Sequence, residues 1–163
     1  QEVKEITVMT WEDVIREELE TTRSEIIQRS EAAGQKASGQ TYAQILVKDV
    51  SNIGGKIVGP RYSGVLAFGR RSGKVPYNMP QIIKEWAKYK GISFESEEDF
   101  NRWAEAVSWK IRREGTQLWR TRGSVGQELD IFTTPINDFT RRIAQRFSNL
   151  ITAEITDKIK RPQ

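Results

Sequence analysis

Thr41-Tyr42-Ala43-Gln44-Ile45-Leu46-Val47-Lys48-Asp49-Val50-Ser51-Asn52-Ile53-Gly54-Gly55-Lys56-Ile57-Val58-Gly59-Pro60 is the stretch on which the fold class turns. Its apolar, partly β-branched runs at 42–50 and 56–58 are separated by Asn52-Ile53-Gly54-Gly55 and closed by Gly59-Pro60, the punctuation of an antiparallel hairpin. A third run, Tyr62–Phe68, extends the reading to a small meander. So short a sheet needs helices against one face. The chain therefore reads as α+β: a small antiparallel meander packed against about four helices, with long helices at both ends.

Upstream, Thr10-Trp11-Glu12-Asp13 has the form of a capping box, and Val14, Ile15, Leu19, Thr22, Ile26 and Ile27 recur at helical spacing. This predicts a helix from about 11 to 33, closed by Gly34, whose other face of Glu and Asp residues reads as a solvated surface. Residues 1–9 alternate loosely at Val3, Ile6 and Val8, as an edge strand or an extended arm would. Downstream, Pro76 and Pro80 bracket a rigid loop, and Ile82, Ile83, Trp86, Ala87 and Tyr89 make a short helix ended by Gly91. Ser96 caps a third helix with Glu97, Glu98 and Asp99 in its first turn, running to Gly115. Thr134-Pro135 predicts an N-cap followed by Pro, opening a last helix of more than 20 residues that carries Ile136 through Ile159, with 156–163 as a candidate flexible tail. There is no internal repeat, and a length of 163 residues suits one domain.

The chain has no Cys and no His. Disulfides, thiol nucleophiles, imidazole relays and the usual zinc ligand sets are therefore excluded. Apolar residues, glycine included, make up about 42 % of the chain, just under the roughly 45–50 % of an average globular domain. The core is thin, and a partner is expected to complete some of it. Net charge is +4, but unevenly placed: residues 1–33 hold 4 cations against 9 carboxylates, and residues 34–91 hold 10 against 2. Such asymmetry suits either a nucleic-acid face or acidic and basic surfaces that meet in the next copy of the same protein. No apolar run is long enough to span a membrane and no secretory signal is visible, so the chain reads as soluble and made in a reducing compartment. Its start at Gln1 implies processing.

Gly69-Arg70-Arg71-Ser72-Gly73-Lys74-Val75 invites comparison with a phosphate-cradling loop, but has three residues between its glycines instead of four and Val after the Lys. Glu95, Glu97, Glu98 and Asp99 could hold a divalent cation, but their place at a helix start accounts for them. No nuclease-like spacing of Asp or Glu with Lys is present. No catalytic residue, cofactor or metal is expected.

Trp11, Trp86, Trp103 and Trp109 fall on predicted helices and read as packing residues. Trp119 lies instead in a loop between Gly115 and Gly123, with Arg120 and Arg122 beside it. Interface contact, local packing and nucleic-acid stacking all remain open for it. Arg70, Arg71, Lys74 and Tyr77 in the other loop, 69–79, extend the basic and aromatic surface, so the candidate interface is Arg70, Arg71, Lys74, Tyr77, Trp119, Arg120 and Arg122. Arg112 and Arg113 also extend it, or simply suit a helix C-terminus.

Two stretches carry a family likeness: Gly64-Val65-Leu66-Ala67-Phe68-Gly69-Arg70-Arg71-Ser72-Gly73-Lys74-Val75-Pro76, leading into the Pro80 helix with Trp86 and Lys90-Gly91-Ile92, and Ala104 to Arg122 with its Arg113-Glu114-Gly115-Thr116-Gln117-Leu118-Trp119-Arg120 ending. Together they resemble the neck or tail-completion (head-to-tail connector) proteins of tailed bacteriophages, closest to versions from phages of gut Bacteroidetes. The likeness spans roughly residues 62–139. It implies a structural virion protein, assembled in the bacterial host cytoplasm. Its copies would form a ring around the DNA channel, a dodecamer with a hexamer as the alternative, contacting portal, adaptor or tail proteins. DNA would pass without sequence-specific binding, and no membrane would be involved. It implies no catalytic residue. The alternative is a nucleic-acid-binding module using the basic loops 69–79 and 115–128.

Overall fold

A computed structural model describes residues 9–36, 38–121 and 129–160. The first helix, α1 (Trp11–Ala32), begins on the expected capping box: the Thr10 hydroxyl accepts from the Asp13 N–H at 3.2 Å, and the Thr10 N–H donates to the Asp13 carboxylate at 2.9 Å. Val14, Ile15, Leu19, Thr22 and Ile26 are its buried face. A single helical turn, α2 (Gln40–Ala43), precedes the hairpin, so Tyr42 is helical rather than part of a strand. Strands β1 (Leu46–Ser51) and β2 (Gly54–Val58) pair antiparallel with Leu46 opposite Val58 and Lys48 opposite Lys56. The register shifts between Lys48 and Ser51, where Asp49 takes a positive φ of 52°.

The third strand of the expected meander is not formed: residues 63–68 are helix α3 (Ser63–Phe68). Short apolar runs do not distinguish strand from buried helix, and here helix places Ala67 in the core with Ile26, Tyr42, Ile45 and Ile131. The Tyr42 hydroxyl donates to Ser30 Oγ at 3.0 Å, which satisfies both buried groups.

Helices α4 (Met79–Tyr89) and α5 (Glu97–Glu114) form an antiparallel pair close to the predicted bounds, with Ile83 and Ala87 buried on one and Phe100, Ala104 and Ser108 on the other. Phe94 stacks on Phe100 with ring centroids 4.8 Å apart, and Lys84 binds Glu97 and Asn101 across the pair. Five residues predicted as loop are instead α6 (Gln117–Thr121).

The last helix, α7 (Thr133–Lys160), has 28 residues, so 156–160 continue it as helix. It starts one residue before the expected cap. Asp130, not Thr134, does the capping: its carboxylate accepts from the Thr134 N–H at 2.8 Å and from the Thr134 hydroxyl, and meets Arg29 of α1 at 3.2 Å. Both expected terminal segments, the arm at 1–9 and the tail at 156–163, lie partly outside the described residues, as do Arg122 and the rest of 122–128.

Candidate interaction surface

Two glycines bring the two basic segments together. Gly69 (φ 70°) closes α3, and a Cβ there would lie 2.5 Å from the Trp119 backbone nitrogen and 2.6 Å from Thr116 Oγ1. Gly115 (φ 81°) closes α5, and a Cβ there would lie 2.7 Å from the Arg70 carbonyl oxygen. Only residues without a side chain allow this approach. Across it the Arg70 N–H donates to Thr116 Oγ1 at 2.9 Å, the Thr116 N–H returns to the Arg70 carbonyl at 2.9 Å, and the Gly73 N–H donates to the Arg112 carbonyl at 2.8 Å. The loop after α3 is thus fastened to the C-terminal end of α5 and to α6.

Arg70, Lys74, Trp119 and Arg120 therefore meet at one end of α5, and their roles differ. The Arg70 guanidinium donates to the Lys74 carbonyl at 2.9 Å, and its buried Nε has no hydrogen-bond partner among the described residues, so this side chain shapes the loop. Trp119 is half-buried beside the Gly69 and Gly115 crossing. Arg120 pairs with Glu114 at 2.9 Å, and Glu114 also holds Arg113. The Arg113 hydrogen bond, reinforced by the charge of Arg120, keeps the Glu114 carboxyl below its ordinary pKa. Arg71, Lys74 and Tyr77 are exposed. Among the described residues no carboxylate lies within salt-bridge distance of Arg71, Lys74, Lys110 or Arg112.

Trp109, read as a packing residue from its place on a predicted helix, is not buried. It is 57 % exposed, with the Arg113 guanidinium 4.3 Å from its ring centroid, and it lines a groove of about 420 Å³ with Lys74, Pro76, Tyr77, Glu105 and Arg112. A polar α5 face that still carries a Trp was the available signal.

The acidic face of α1 is a solvated surface only in part: Asp13, Glu17 and Glu20 are exposed, but Glu18 is buried. Arg142 reaches Glu18 at 2.6 Å, Glu25 at 2.8 Å and Thr22 Oγ1 at 3.0 Å, while Arg146 reaches Glu17 at 2.7 Å and Glu18 at 3.1 Å. Burial opposes the charge on Arg142, but Glu18 and Glu25 more than offset it and its pKa is raised. Glu17, Glu18 and Glu25 are thus paired with arginines of the same chain.

No group of three or more metal-ligating side chains occurs among the described residues, and no helix among them is long and apolar enough to cross a membrane. No family model matches the chain, and no curated protein or solved structure is significantly similar to it.

Proposed function

We propose that this chain is a structural subunit of a homo-oligomeric ring in the neck or tail of a tailed phage, surrounding the DNA channel. One observation carries the assembly part of this reading: residues 151–160 of α7 are exposed throughout, and Ile151, Ile155 and Ile159 make an apolar ridge that no other part of the described residues covers. Exposed contiguous apolar surface marks a contact site. The phage part comes from the resemblance of the Gly64–Pro76 and Ala104–Arg122 stretches. In such a ring, buried apolar area supplies most of the affinity, and charge sets register and partner choice. Light scattering in moderate salt tests the assembly, and imaging of phage particles tests the location. Defined multimers located between head and tail are expected; a monomer at every concentration would overturn the reading.

The cations at the end of α5 that lack a carboxylate favour a second reading, a nucleic-acid-binding module. It predicts binding that falls steeply as salt rises. A flat salt response removes it.

A further inference from the structure

The α7 ridge and the groove beside Trp109 have matching properties. Ile151, Ile155 and Ile159 follow one another at four-residue intervals and are 45 %, 53 % and 74 % exposed. Around the helix Lys158 falls beside Ile151 and Ile155, paired at 3.2 Å with Glu154. A ten-residue helical end is marginal in water without packing. Two such ends laid against each other would cover little: half a cylinder about 10 Å across and 15 Å long is about 240 Å², against the roughly 800 Å² per partner of a stable interface. The ridge therefore needs a concave surface with further contacts around it.

The groove is such a surface. Pro76, Tyr77 and Trp109 give it apolar walls, with Tyr77 fully exposed. Its charges are Lys74, Arg112 and Glu105, none with an ion-pair partner among the described residues. Their signs are complementary to those on the ridge: Lys158 is opposite in charge to Glu105, and Glu154 to Lys74 and Arg112.

We infer that the distal α7 ridge of one copy seats in the Tyr77–Trp109 groove of the next copy. This rests on the ring reading and names its contact. The two patches lie on different elements, so the contact is able to repeat head to tail, as a closed ring requires.

The test is association of the full chain, measured by sedimentation and mass photometry, with helicity checked by circular dichroism. The variants are Ile155→Asp, Trp109→Ala, Glu105→Lys, Lys158→Glu and the last two combined. Ile155→Asp and Trp109→Ala each weaken association by about tenfold or more. Each charge reversal weakens it, and the combination recovers most of the loss. Wild-type multimers unaffected by Ile155→Asp and Trp109→Ala overturn the groove contact while the ring reading stands. Reversals without mutual recovery also overturn the contact as described. A wild-type chain that stays monomeric overturns the ring reading itself, and an oligo-dT strand that binds through Tyr77 and Trp109 in place of assembly assigns the groove to nucleic acid.

Discussion

Arg142 on α7 donates to the Glu18 carboxylate on α1 at 2.6 Å, joining positions 124 residues apart. The contact ties the two long terminal helices into one layer, together with Arg146 and the Trp11–Phe147 ring contact at 4.5 Å. Glu18 serves both arginines, and its side chain is only 8 % exposed.

Glu18→Ala leaves two partly buried guanidiniums short of a partner. We expect a loss of about 2–3 kcal/mol, read as a lower urea midpoint at unchanged slope. Glu12→Ala, which removes an exposed pair with Arg16, changes stability by less than about 0.5 kcal/mol. Equal effects of the two substitutions would show that the shared carboxylate is not the tie between α1 and α7.

Gly69 and Gly34 share a positive φ, 70° and 71°, but have different surroundings. Nothing lies within 4 Å of a Cβ at Gly34, whereas at Gly69 it would meet the Trp119 backbone. Gly34→Ala therefore costs about 1–2 kcal/mol through left-handed strain alone. Gly69→Ala costs more and also separates the 69–75 loop from α6, so the change in Trp fluorescence accompanies only the second substitution.

Stability carries an acid limb from Asp130. The hydrogen bonds from the Thr134 hydroxyl and N–H, with Arg29 nearby, lower its pKa in the folded protein from the ordinary 3.8. A carboxyl lowered on folding stabilises fully above its unfolded value, and the contribution disappears as pH falls through the folded one. Asp130→Ala should cost about 1 kcal/mol at pH 7. The gap between wild type and variant, measured by urea unfolding from pH 7 to pH 2, stays constant down to about pH 4 and then closes. A gap that widens as the pH drops would contradict the capping role.

The local signals were legible where one short segment contains both partners of an interaction. Thr10 and Asp13 are three apart, as are Ser96 and Asp99, and both helix starts follow from those pairs. The α5 bounds and the end of α4 near Gly91 follow from capping and glycine chemistry in the same way. Residues 62–68 were not legible. Their composition suits strand or helix, and the choice was made by Ala67 fitting among Ile26, Tyr42, Ile45 and Ile131, which come from distant parts of the chain.

The interaction surface divides along the same line. Composition excluded imidazole and thiol chemistry outright, and the spacing of Ile151, Ile155 and Ile159 already placed them on one side of a helix. Burial did not follow from spacing: α7 packs its upstream face on α1, while among the described residues this downstream ridge stays open. Nor could charge counts tell which carboxylates were spoken for, because Glu17, Glu18 and Glu25 meet their arginines more than 110 positions away. Periodicity is a property of neighbours along the chain. Which face is covered, and which charge is answered, depends on elements that meet only after the chain has folded.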